Sequence, residues 1–141
     1  MSITQIEFTD LEKQTKKKGQ SVLQVLASDM GKAYVVAICR DNCPACKRQA
    51  PKLDKLAEDL TSKHGKKLVF IRVHVKQPSG DNTESFRAKD LFSHYFYPTN
   101  LILFRTKDCG AVEYYRNSSP RMAELKRNIE IAVKTATMLS E

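Results

Sequence analysis

The sequence has no stretch approaching the roughly 20 apolar residues that a membrane-spanning helix requires, and no membrane association is expected of it. Its first residues, Met1-Ser2-Ile3-Thr4-Gln5-Ile6-Glu7, lack the basic segment, apolar run and small-residue cleavage site of a secretory leader. A cytoplasmic location is the expectation, with an extracytoplasmic one following only if a leader has been removed. Internal repeats and low-complexity segments are also absent. Acidic side chains are the minority, sixteen against twenty-four basic ones, for a formal charge of +8. That balance alone would suit an acidic partner such as nucleic acid. No basic arm is present, however: residues 1–70 carry thirteen basic and eight acidic side chains, and residues 71–141 carry eleven and eight. The one run, Lys16-Lys17-Lys18 before Gly19, reads as a solvated helix end where cations suit the helix dipole. No nucleic-acid partner is expected.

A hydrophobic share of 41% and a charged share of 28% are those of ordinary globular proteins. A chain of 141 residues buries a core without disulfide or metal staples, so one domain, residues 1–141, is expected. Period-2 and period-3.6 patterns alternate along it, as in strands and helices interleaved around one sheet. Ile6 to Phe8 predicts a short first strand, and Thr9-Asp10-Leu11-Glu12 has capping-box spacing for a helix that Gly19 interrupts. Ser21 restarts it, with Val22, Val25 and Leu26 toward the core. Ala33 to Cys39 is a nearly unbroken apolar run, as in a strand covered on both faces.

From Pro44 onward, Cys46, Ala50, Leu53, Leu56, Ala57 and Leu60 recur at helical spacing. Leu68 to Val75 is a second buried strand, parallel to the first through the intervening helix. Gln77 to Asn82, with Pro78 and Gly80, is loop by composition. Phe86 to Tyr95 predicts a helix burying Ala88, Leu91, Phe92 and Tyr95. Thr99 to Arg105 and Ala111 to Arg116 predict two antiparallel strands about a turn at Lys107-Asp108-Cys109-Gly110. Ser119-Pro120 marks the start of a last helix striped by Met122, Leu125, Ile129 and Val133.

Cys43-Pro44-Ala45-Cys46 falls where a buried strand turns into a helix. There the first sulfur meets unsatisfied N–H groups and the positive dipole end, which favour its thiolate; its pKa is expected below the free value of about 8.5. The second sulfur, one turn in, can close a disulfide. Pro44 suits the first helical turn, where no hydrogen bond is lost.

With these features the sequence resembles the thioredoxin superfamily from about Ile6 to Val133. The resemblance rests on Cys43 and Cys46, on Pro51 five residues after the second cysteine, and on Tyr97-Pro98-Thr99 before Leu101-Ile102-Leu103-Phe104, which resembles the family's cis-proline element. It implies an α/β fold, a central mixed sheet of about five strands flanked by about four helices. It also implies thiol–disulfide oxidoreductase activity through a reversible Cys43–Cys46 disulfide, with Cys43 attacking and Cys46 resolving. Tyr97, Pro98 and Thr99 would form the substrate platform, and Pro44 and Pro51 would support the motif. No cofactor and no metal are implied. The partners would be protein or small-molecule disulfides and a reductase or oxidase that recharges the pair, with the protein acting as a monomer. Two departures stand out: Ala37 takes the place of the family's buried aspartate, and Asn42 that of its tryptophan. Arg72 stands where many relatives have a lysine.

Other readings compete. Cys39, Cys43 and Cys46 spell the C-x-x-x-C-x-x-C of radical S-adenosylmethionine enzymes, but that pattern usually has an aromatic residue where Ala45 stands. Zinc on Cys43, Cys46 and His74 or His94 lacks the second cysteine or histidine pair of a structural site. A redox-silent interaction domain is the remaining alternative. Cys39 reads as a small core residue before it reads as a third redox thiol. Cys109 reads as an incidental turn thiol, and His64 and His94 as solvated or packing residues. His74 is a candidate for tuning a thiol.

Overall fold

A computed structural model describes residues 2–76 and 83–141. The Gln77 to Asn82 loop lies outside the described residues. The order is β1 (Ile3–Glu7), α1 (Phe8–Lys18), α2 (Val22–Leu26), β2 (Ala33–Arg40), α3 (Pro44–His64), β3 (Leu68–Val75), α4 (Thr83–Phe92), β4 (Thr99–Thr106), β5 (Gly110–Asn117) and α5 (Met122–Leu139). The strands form one mixed sheet in the order β1-β3-β2-β4-β5. β3 pairs parallel with both β1 and β2, while β4 runs antiparallel to β2 and β5. The five expected strands are present. The described α-helices are five, in keeping with the about four expected, and Gly19, at φ 63°, separates α1 from α2 as its position predicts.

Alternation along the strands divides the core in two. Val35, Ala37, Cys39 and Phe70 pack against Leu53, Leu56 and Leu60 of α3 and Leu125 and Ile129 of α5. Tyr34, Val36, Ile38 and Val73 face the opposite way, toward Phe8 and Leu11 of α1, Leu26 of α2 and Ala88 and Phe92 of α4. Every residue of β2 except Arg40 is buried, as its unbroken apolar run predicts. Each large aliphatic or aromatic side chain so buried stabilises the fold by about 1.5–3 kcal/mol.

Four expectations are corrected. The Thr9–Glu12 capping box does not form: β1 passes directly into α1 at Phe8, and Glu7 is the N-cap without a side-chain bond. Phe8 is fully buried, and anchoring that side chain sets the helix start ahead of Thr9. The first strand accordingly spans Ile3–Glu7 and not Ile6 to Phe8. Tyr95 is 82% exposed, since α4 ends at Phe92 and Ser93 turns the chain away at φ 56°. The last helix starts two residues beyond Pro120, with Arg121 as N-cap.

Candidate active site

The parallel strands β2 and β3 end together, and α3 departs from that end. Asp41 N–H donates to the Val75 carbonyl at 3.1 Å, tying the β2 exit to β3. Asn42 then takes φ 55°, a left-handed turn that asparagine tolerates better than bulky residues. That turn delivers Cys43 to the N-cap of α3, with Pro44 in the first helical turn and Pro51 inside the helix. The Cys43 sulfur accepts the Cys46 N–H at 3.2 Å, and its thiol donates to the Tyr97 carbonyl at 3.5 Å. The Tyr97-Pro98 bond is cis. Residues far apart in sequence, the motif and the segment at Tyr97 and Pro98, thus meet at one point.

Tyr97 is held from several sides. Its hydroxyl shares a hydrogen bond with Ser85 at 3.2 Å, the His94 ring meets it edge-on at 4.7 Å, and the Arg40 guanidinium lies 5.4 Å from its ring centre. Burial raises the Tyr97 phenol above its usual value. Pro98 is buried, and the Thr99 side chain turns inward, donating to the Phe96 carbonyl at 2.6 Å. His94 is indeed a packing residue, 3% exposed, and neither ring nitrogen has a hydrogen-bond partner among the described residues. Its pKa falls to about 4 through burial, with Lys89 and Arg116 adding repulsion.

The thiols do not follow the expectation for a lone helix N-cap. Cys43 is 4% exposed, and burial, followed by the nearby Cys46 thiol, pushes its pKa up; the Cys46 N–H and Arg40 pull it down by less. Cys46 is pushed up much further, first through its hydrogen bond to Cys39 and then by burial. Cys39 goes the opposite way: that bond lowers it, burial opposes the shift, and the Arg72 guanidinium adds to the lowering. The two thiols are therefore coupled, Cys39 the readier and Cys46 the more reluctant to lose its proton. Sequence reasoning favoured a plain core role for Cys39; the signal available was its alternation with Ala37 on the strand face beneath α3.

Ala37 sits opposite Arg72 on β3 and Asn100 on β4. Asn100 is fully buried and exchanges two hydrogen bonds with Gln49 of α3, at 2.9 and 3.0 Å. A neutral amide pair, missed from sequence, thus lies beside the position of the absent carboxylate. His74, the neighbour of Cys39 across the strands, bridges Glu7 at 2.8 Å and Asp41 at 2.7 Å. Burial opposes its charge, but the two carboxylates outweigh burial and raise its pKa. It secures the turn before Cys43 rather than touching a motif thiol. Cys109 is exposed, and no group of three or more His, Cys, Asp or Glu among the described residues is arranged to hold a metal ion.

Neither a family model nor a curated protein matches the chain in sequence. In structure it is similar to the short form of thioredoxin f from spinach chloroplast, with a TM-score of 0.58 at 19% identity over 92% of both chains. The chain has the thioredoxin-like fold. Fasciola hepatica thioredoxin is similar too, with a TM-score of 0.55 and 21% identity over 94% of this chain and 99% of that one. So is thioredoxin f2 in its complex with ferredoxin:thioredoxin reductase, with a TM-score of 0.58 and 19% identity over 92% and 94%. On this thioredoxin-like frame Cys43, Cys46 and the cis Tyr97-Pro98 bond occupy one end of the sheet, as the sequence resemblance implied.

Proposed function

We propose that the protein is a thiol–disulfide oxidoreductase that reduces protein disulfides through a reversible Cys43–Cys46 disulfide. The observation that carries this reading is the Cys43 sulfur at the start of α3, hydrogen-bonded to both the Cys46 N–H and the Tyr97 carbonyl. Cys43, once deprotonated, attacks one sulfur of the substrate disulfide; the other leaves as a thiolate and takes up a proton. Cys46, having lost its proton, then attacks the Cys43 sulfur and expels the second substrate thiolate. Two electrons pass to the substrate and the cysteine pair is oxidised. Cys39 acts through Cys46 as a positioning residue: the readier of the two to ionise, it holds the Cys46 thiol protonated until the resolving step. The backbone beside Pro98 receives the substrate segment in an extended conformation.

A reductase must then return two electrons to the pair; the reductase complex of the similar thioredoxin f2 supports a partner of that class. The direction proposed is reduction, in a reducing compartment such as the cytoplasm. A redox-silent interaction domain is the second reading, favoured by the burial of Cys43 and the upward shift of its thiol. Reduction of insulin with dithiothreitol as electron source distinguishes them: Cys43→Ser must abolish an activity that the intact protein has. No rate above dithiothreitol alone would favour the silent domain.

A further inference from the structure

Beside the motif lies a cavity of about 230 Å3 between the first turns of α3 and the entry to α5. Ala45 of the motif and Pro98 form part of its wall. Arg48 and Lys52, one turn apart on α3, and Arg121, the N-cap of α5, bring three cations to it, and Ser118 and Ser119 add hydroxyls. No carboxylate lines the cavity, and none of the three cations has an ion-pair partner among the described residues. Glu124, in the first turn of α5, accepts hydrogen bonds from Tyr115 and Asn117 instead. Elsewhere Lys63, Arg72, Arg87 and Arg116 are each paired with an acid. The unneutralised cations here flank the point where disulfide exchange would occur.

Just before Pro98 in the chain, Tyr95 and Phe96 are 82% and 68% exposed. They line a second cavity, of about 350 Å3, which includes Thr99 and shares Ser118 with the first. Neighbouring exposed aromatics next to arginine are the composition of a binding surface. A polypeptide bound beside Pro98 would have the three cations of the first cavity and, next to it across Ser118, the exposed aromatics of the second within reach.

We propose that the Arg48, Lys52 and Arg121 cavity receives an acidic side chain of the polypeptide whose disulfide Cys43 attacks. Protein disulfides flanked by Asp or Glu are then the preferred substrates. The inference rests on the oxidoreductase reading and names its substrate class. Arginine matches a carboxylate with paired, charge-assisted hydrogen bonds, and the Ala45, Pro98 and Met122 walls exclude part of the solvent that would otherwise screen the contact.

The test uses two disulfide-linked peptide substrates, identical except that the residue flanking the cysteine is Glu in one and Gln in the other. The kcat/KM ratio of Glu to Gln peptide is expected at about five- to tenfold at low ionic strength. It should shrink in high salt, and fall to near one in the Arg48→Gln, Lys52→Gln, Arg121→Gln triple variant, with Arg48→Gln alone giving part of the fall. Equal rates for the two peptides, or a ratio that survives in the triple variant, would overturn the proposal. Fluorescence anisotropy with the same peptides carrying Ser for Cys separates the two ideas because it needs no turnover. A Glu preference in binding, lost in the triple variant, supports the subsite even if neither disulfide is reduced, an outcome that removes only the oxidoreductase reading. Reduction of both peptides with equal binding removes the subsite and leaves that reading standing.

Discussion

The Cys43 sulfur lies 3.5 Å from the carbonyl oxygen of Tyr97, 54 residues further along the chain. The contact joins the start of α3 to the end of the α4–β4 connection, and the proposed chemistry occupies that junction. Both motif cysteines are buried, but it is Cys43 that meets the Tyr97-Pro98 segment, while Cys46 lies against Cys39.

Limiting iodoacetamide on the reduced protein should therefore modify Cys43 before Cys46. Cys109 is exposed and is best removed first, as Cys109→Ser. Because burial holds the Cys43 thiol up, its labelling should accelerate as pH passes above the ordinary thiol range, unlike that of a helix N-cap cysteine with a depressed pKa. Peptide mapping across pH decides this; faster labelling of Cys46 contradicts the assignment.

The coupling of Cys39 to Cys46 should be visible in the second half of the reaction. In Cys39→Ser the largest influence holding the Cys46 thiol up is gone, and burial is the main one that remains. The pH midpoint at which Cys46 resolves a mixed disulfide should therefore fall. Stopped-flow single turnovers give the midpoint, and an unchanged profile would return Cys39 to a packing role.

Two histidines should shape stability with opposite signs. His74 has a folded pKa raised above its unfolded value of 6.5, so its contribution is complete below about pH 6.5 and is lost as pH rises through the folded pKa. Its partner Glu7, lowered chiefly by that hydrogen bond, loses its part as pH falls through the carboxylate range. The unfolding free energy of His74→Ala from urea melts should thus trail that of the intact protein by about 1 kcal/mol near pH 6 and by less at pH 9. His94, depressed to about 4, acts the other way: the unfolded chain takes up a proton first, and stability falls as pH drops from about 6.5 toward 4. His94→Phe should flatten that acid limb, and an unaltered limb would show that burial of His94 is not its cause.

Gln49 and Asn100 exchange two hydrogen bonds, and Asn100 also donates to the Asn117 carbonyl at 3.3 Å, so breaking the pair should cost more than removing it. Asn100→Ala leaves the Gln49 amide buried and unpaired, at about 1–3 kcal/mol. Gln49→Leu combined with Asn100→Leu should recover most of that loss in denaturant melts. Additive losses in the double variant would contradict the coupling.

Much of this was legible before the fold. β3 spans Leu68–Val75 as the apolar pattern predicts, and β2 differs from its prediction only by Arg40, because strands buried on both faces announce themselves by composition. Cys43 and Pro98 were legible because spacing and order carried them. Gln49 and Asn100 were not, since a buried amide looks like a surface amide until its partner, far along the chain, is placed beside it. Thr9 misled for a related reason: its capping spacing is local, whereas burial of Phe8 is a tertiary demand that overrides it. Tyr95 failed because helical periodicity continues through a residue, Ser93, whose left-handed turn ends the helix.

The most direct test of the account is to oxidise the protein with a small disulfide, map its cysteines by mass spectrometry, and then measure reduction of a protein disulfide. The account predicts a Cys43–Cys46 linkage in the oxidised protein, reduction of insulin by the reduced form, and a mixed disulfide trapped on Cys43 in Cys46→Ser. Cysteines 43 and 46 that remain unlinked under oxidation, together with an insulin rate no higher than dithiothreitol alone, would contradict it and leave a thioredoxin-like domain that binds without exchanging electrons.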